Sequence, residues 1–131
     1  MCNQNINLAK SPIAYCERKY AKKGARFYFI GTPLEMADYS VMSGTFNYAP
    51  DLTVKAWKDY LFTNLSSIWN LTRCSMIFNL LISEEDKITS QSISYIRQET
   101  ILNFCQSNFG VTCEYFSSKL PREITFCVIK T

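Results

Sequence analysis

The chain has 131 residues, 14 Lys and Arg, 11 Asp and Glu and no His, with 47% hydrophobic residues and a formal net charge of +3. That length fits one domain of the usual size, about 100–200 residues, and the apolar fraction is too high for a disordered chain. The absence of His excludes His general bases, Ser-His-Asp and Cys-His nucleophile systems, and zinc sites built on imidazole.

The first ten residues read as a polar arm. A first helix then has clear punctuation: Ser11 as N-cap, Pro12 at the first helical position and Gly24 at the left-handed C′ position. Ile13, Cys16 and Tyr20 fall on one face of it. Ala25–Ile30, rich in Phe and Tyr, predicts a buried strand. Thr32-Pro33-Leu34-Glu35 has the form of a capping box and predicts a short helix ending at Ser43-Gly44. Thr45–Tyr48 reads as a short strand, and Pro50-Asp51 as a turn.

Val54, Trp57, Leu61, Leu65 and Ile68 repeat with a helical period, which predicts a helix from Leu52 or Thr53 to about Asn70. Arg73–Ile82 is dominated by apolar side chains and predicts a strand. Ser83–Asp86 starts a turn or a helix, with acids where a helix N-terminus favours them. A further helix is predicted from about Ser90 to Ser107, with Ile93, Ile96, Ile101, Phe104 and Cys105 facing inward and Gly110 closing it. Two strands follow, Val111–Phe116 and Glu123–Lys130. The six residues between them include Pro121, which predicts a long hairpin loop. On the last strand Ile124, Phe126 and Val128 alternate onto one face, the expected core face.

The expected fold is therefore α+β: a single domain over residues 1–131, with one mixed or antiparallel sheet of four to five strands packed with about four helices. No regular β-α alternation supports a doubly wound parallel sheet.

The cysteines are Cys2, Cys16, Cys74, Cys105, Cys113 and Cys127, and no pair has the C-x-x-C spacing of a zinc ribbon or a redox motif. Residues 1–8 lack the basic and apolar regions of a signal peptide. The longest apolar stretch, Met76–Ile82, is far short of the roughly 20 residues that cross a bilayer. The chain reads as soluble and cytoplasmic, with free thiols mostly in the core.

Charge is unevenly placed. Residues 1–26 carry Lys10, Arg18, Lys19, Lys22, Lys23 and Arg26 against Glu17 alone, a net of +5, while the remainder carries eight cations and ten acids. Arg18, Lys19, Lys22, Lys23 and Arg26, with Tyr15 beside them, form the candidate binding site. Such a surface neutralises phosphates and stacks on bases, or contacts an acidic protein surface. Lys22 and Lys23 also offset the helix dipole with no further role. Gly31-Thr32-Pro33 after a strand is a weak anion-site signal, since no P-loop string is present. Glu84, Glu85 and Asp86 lack the alternating spacing of a hard-cation loop, and Asp38, Asp51 and Asp59 are dispersed. Cys16 lies near Lys19 but on the apolar face of its helix, so it reads as a packed thiol. Tyr39, Tyr48 and Tyr60 are candidate contact residues or core-edge residues.

No catalytic residue, metal site or cofactor emerges. The leading expectation is a non-enzymatic intracellular binding protein, an inhibitor that occupies a partner's functional surface, of the toxin-immunity or phage anti-defence type. Its Asn, Ile, Lys, Tyr and Phe bias suits an AT-rich accessory gene. The alternative is a nucleic-acid-binding module using the basic helix, and the third reading is a His-independent enzyme.

Overall fold

The computed structural model describes residues 12–26 and 35–131. The chain divides into two compact units, Met1–Gly31 and Thr32–Thr131. In the first, helix α1 (residues 12–20) opens on Pro12 and tightens into a 3₁₀ turn at Ala21–Lys23. Gly24 ends it with φ +79°, and its N–H donates to the Ala21 carbonyl at 3.1 Å. This is the left-handed stop that glycine adopts without a Cβ clash. The N-cap Ser11, residues 27–30 of the predicted first strand and the Gly31-Thr32-Pro33 turn lie outside the described residues, as does the 1–10 arm.

The second unit runs β1 (Ala37–Met42), α2 (Val54–Asn70), β2 (Thr72–Leu81), β3 (Lys87–Ile88), β4 (Ser94–Tyr95), α3 (Gln98–Asn108), β5 (Val111–Ser117) and β6 (Leu120–Ile129). The sheet order is β1-β2-β6-β5, with β1 parallel to β2 and the other pairs antiparallel. Strands β3 and β4 form a separate two-stranded ribbon. The fold is α+β with a mixed four-stranded sheet, as expected. The described residues hold three α-helices where about four were predicted.

Helix α2 forms where its period and cap place it. The Thr53 hydroxyl accepts from the Ala56 N–H at 3.1 Å, and Trp57, Leu61, Leu65, Ile68 and Trp69 are buried. At its other end Lys130 Nζ donates to the Trp69 carbonyl at 3.0 Å and also to the Thr72 carbonyl. The same ammonium sits 4.7 Å from the centre of the Trp69 ring. A cation there satisfies carbonyls that a helix end leaves unpaired.

The core forms between these helices and one face of the sheet. Met76, Phe78 and Leu80 of β2 meet Ile124, Phe126 and Val128 of β6, with Trp57, Leu61 and Leu65 of α2 and Ile101 and Cys105 of α3 completing the cluster. Phe78 and Phe126 are register partners and stack at 5.4 Å. The expected burial of Phe126 is met.

Four expectations are corrected. The segment predicted as a helix up to Ser43 contains strand β1 instead, because Tyr39, Ser40, Val41 and Met42 pair in register with Ser75–Phe78. A capping-box spacing is a weak local preference that such tertiary pairing overrides. Thr45–Tyr48 is a turn, with only Tyr48 bridging to Ile93. The helix predicted from Ser90 starts at Gln98. Ser92 takes φ +63°, and the isoleucines that mimicked a helical stripe anchor bridges, Ile93 to Tyr48 and Ile96 to Ile82. The last hairpin turns on Ser118-Lys119, and Pro121 lies inside β6. The register jumps from Phe116↔Ile124 to Ser117↔Leu120, and this bulge accommodates a residue that has no N–H to pair.

The thiols are also less buried than expected. Among the described residues only Cys105 is buried. Cys74 is exposed, and Cys16, Cys113 and Cys127 are half-buried.

Phe126→Ala removes a fully buried ring from the centre of this cluster. The expected loss is about 3–5 kcal/mol by urea titration, and a loss below ~1 kcal/mol would show that the surrounding side chains refill the site.

Candidate functional site

The residues of the predicted basic site lie in the first unit. Arg18, Lys19, Lys22, Lys23 and Arg26 are all exposed, and Tyr15 is 53% exposed. The helical spacing brings Lys19 Nζ to 5.6 Å from the Tyr15 ring centre and 5.2 Å from that of Tyr20, and Lys23 Nζ to 5.7 Å from Tyr20. The Tyr20 hydroxyl, and after it Tyr15, hold the Lys19 ammonium above the usual lysine range. Lys22 and Lys23 stand in the last turn, where they face the negative end of the helix dipole. Cys16 and Ile13 are half-buried.

The acids do not converge. Glu84 and Glu85 are exposed in a bend, Asp59 pairs with Lys55 one helical turn away, and Asp38 pairs with Arg73 across β1 and β2. Asp51 holds φ +58° in the turn before α2. Of these dispersed and clustered acids, only Asp86 is drawn inward. One carboxylate oxygen accepts from Lys58 Nζ at 2.6 Å and the other from the Arg97 N–H at 2.8 Å. Burial pushes this carboxyl up, but Lys58 and Arg97, through hydrogen bonds and charge, outweigh that and hold it below the usual 3.8. The group fastens α2 to the turn before β3 and to the start of α3, which is a structural role. Among the described residues no three His, Cys, Asp or Glu side chains gather into a metal site.

Of the three tyrosines, Tyr60 meets the buried Phe46 ring edge-on at 6.3 Å and is a core-edge residue. Tyr39 and Tyr48 project into solvent, 65% and 64% exposed.

The sheet face turned away from α2 and α3 is a feature that the sequence reading missed. Register places Tyr39, Ser75, Ile129 and Val111 in one row across the four strands, and Val41, Ile77, Cys127 and Cys113 in the next. Asn79, Thr125 and Tyr115 form a third row, and Leu81 with Glu123 closes the face. Glu123 is the only charged side chain among these positions. Tyr39, Val41, Val111, Tyr115 and Ile129 are exposed. A hollow of about 120 Å³ opens among Val41, Ile77, Asn79 and Thr125, and a shallow groove of about 260 Å³ runs past Leu81, Tyr95, Leu120, Pro121, Arg122 and Glu123. The signal was present in Val111 and Tyr115, apolar residues on the strand parity opposite Glu114. It was obscured at β1, where a helical reading hid the alternation of Tyr39 and Val41.

No helix among the described residues is long and apolar enough to cross a membrane. The chain matches no family model, no curated protein and no solved structure.

Asp86 sets a pH dependence. Its folded-state pKa is depressed, so its stabilisation is present above the unfolded value, about 3.9, and is lost as pH falls through the folded one. Asp86→Asn should cost about 1–3 kcal/mol near neutral pH. The gap to the unmodified chain should shrink below about pH 4 in urea titrations, and a gap that stays constant down to about pH 3 would assign the loss to packing.

Proposed function

We propose that this protein is a non-enzymatic cytoplasmic binding protein that acts by occupying the functional surface of a partner protein, as toxin-immunity proteins and phage antagonists of host defence do. The observation that carries this reading is the open sheet face. Its tyrosine, valine, isoleucine and leucine side chains, interspersed with Ser75, Asn79 and Thr125 and with Glu123 as the single charge, suit an interface centre, where charge is depleted and tyrosine enriched. Exposed apolar side chains such as Tyr39, Val41, Val111, Tyr115 and Ile129 are the kind of surface that marks interaction sites. The cations of α1 add electrostatic steering toward an acidic partner, an effect on association rate more than on final affinity.

Two further observations support a non-catalytic role. The thiol most shifted by its surroundings, Cys105, is pushed up to about 12 by burial in the core. The shifted carboxyl of Asp86 serves an ion pair. Cys105 is fully enclosed, and both oxygens of Asp86 are engaged by Lys58 and the Arg97 N–H, whereas a catalytic group must reach its substrate.

Nucleic-acid binding through α1 is the second reading, favoured by five exposed cations beside tyrosine rings. It is weakened because Lys19 already occupies the neighbourhood of both Tyr15 and Tyr20, so a stacking base must first displace an ammonium.

The test separates the two surfaces. Tyr39→Ala with Tyr115→Ala should abolish stoichiometric recovery of one partner protein while changing stability by only about 0.5 kcal/mol per site. Lys19→Glu with Lys22→Glu should slow partner association, most at low ionic strength, and leave the fold intact. Retention of the partner by the tyrosine variant would refute the sheet-face reading. Affinity for RNA or DNA that falls steeply with salt, and is lost in the lysine variant, would establish the second reading instead.

A further inference from the structure

We propose that Cys113 and Cys127 form a dithiol that hydroperoxides oxidise to a reversible cross-strand disulfide on the open sheet face. The two residues are register partners on adjacent antiparallel strands, and both thiols are free and half-buried. No other two cysteines among the described residues are paired in register.

The register also sets the quality of the bond. Lys130 N–H donates to the Cys74 carbonyl at 2.8 Å, and Ile82 N–H donates to the Arg122 carbonyl at 2.7 Å. Peptide groups alternate in direction along a strand, so even-numbered residues of β6 hydrogen-bond β2 and odd-numbered ones hydrogen-bond β5. Cys113 and Cys127 therefore form a hydrogen-bonded pair, with Cα atoms about 5.5 Å apart. That lies within the reach of a disulfide, about 4.4–6.8 Å. The Cβ atoms of such opposed residues are about 4.5–5.5 Å apart, wider than the ~3.8 Å a relaxed disulfide adopts. The bond closes under strain, and strained disulfides are the readily reduced ones.

In the reduced chain Cys127 has another contact. Ser75 Oγ donates to the Val128 carbonyl at 3.0 Å, so in its 3.2 Å contact with Cys127 Sγ the thiol is the donor. Oxidation exchanges that contact for a bond to β5. With hydrogen peroxide as the oxidant, one sulfur attacks a peroxide oxygen, the O–O bond breaks, and a sulfenic acid and one water form. The second sulfur then displaces the sulfenic oxygen as a second water, and the S–S bond forms. The two thiols lose two electrons and two protons, all accepted by the peroxide. Cys105, fully enclosed in the core, is not a competitor.

The full-length chain is treated with hydrogen peroxide, its free thiols are alkylated, and it is digested with trypsin without reductant. The expected result is a loss of two hydrogen atoms per chain, with peptide 98–119 joined to peptide 123–130 and fragmentation placing the bond at Cys113, not Cys105. Millimolar glutathione should reverse it, which a relaxed structural disulfide resists. Cys113→Ser and Cys127→Ser should each abolish the joined peptide, and the map of the unmodified chain stands without them should either variant fail to fold. Full alkylation of both cysteines after peroxide, a bond to any other cysteine, or a bond that glutathione leaves intact would overturn the proposal.

Discussion

The carbonyl of Phe46 accepts two hydrogen bonds inside the core, from Trp57 Nε1 at 2.9 Å and from Ser94 Oγ at 2.9 Å. A loop that passes through a core must have its backbone groups satisfied, and this one is satisfied by the first turn of α2 on one side and by β4 on the other. Trp57 fixes how α2 is rotated, and so which of its residues face the sheet. Ser94, 1% exposed, fixes the ribbon. The Ser94 N–H donates to the Asn47 carbonyl and the Ala49 N–H to the Ser92 carbonyl, which extends the same seam. Substituting Trp57 by another apolar residue would leave a buried acceptor with one partner where it now has two, so the constraint is one of polar satisfaction as much as of volume.

Once α2 is oriented, the rest of the packing is one-sided. Both α2 and α3 cover the same face of the sheet, and the face they leave is built from the alternate residues of the same strands. A helix on each side would have made both parities core. With helices on one side, parity alone decides whether a residue such as Val41 meets solvent or Met42 meets the core. Glu114 marks the margin of this arrangement. It points to the covered face, one oxygen accepts from Gln98 Nε2 at 2.9 Å, and the other is enclosed without a partner among the described residues.

Much of this was readable in the sequence. The period of Trp57, Leu61, Leu65 and Ile68, the Thr53 cap, the burial of Phe126 and the Gly24 stop are all strong local signals, and they are where the structure has them. The errors have a common cause. Between Glu35 and Tyr48, and again between Thr89 and Ile96, local pattern and tertiary pairing disagree, and pairing decides. Ile93 and Ile96 have helical spacing, yet each is held by a strand-like bridge far away in sequence. The basic residues of α1 were readable because charge is visible without a fold. The open sheet face was not, because which parity is covered depends on where α2 and α3 lie, and no single strand encodes that.

The order of the sheet has a consequence for how the chain reaches it. Strand β6 sits between β2 and β5, so the strand that completes the centre comes last among the four in sequence. Phe78 cannot stack on Phe126 until the 47 residues between them have been made. Until then α2 and β2 have an apolar face with half of its covering absent, and closing so distant a contact is slow compared with forming a helix. During synthesis the nascent chain thus passes through an interval in which Met76, Phe78 and Leu80 lack the strand that covers them in the finished fold.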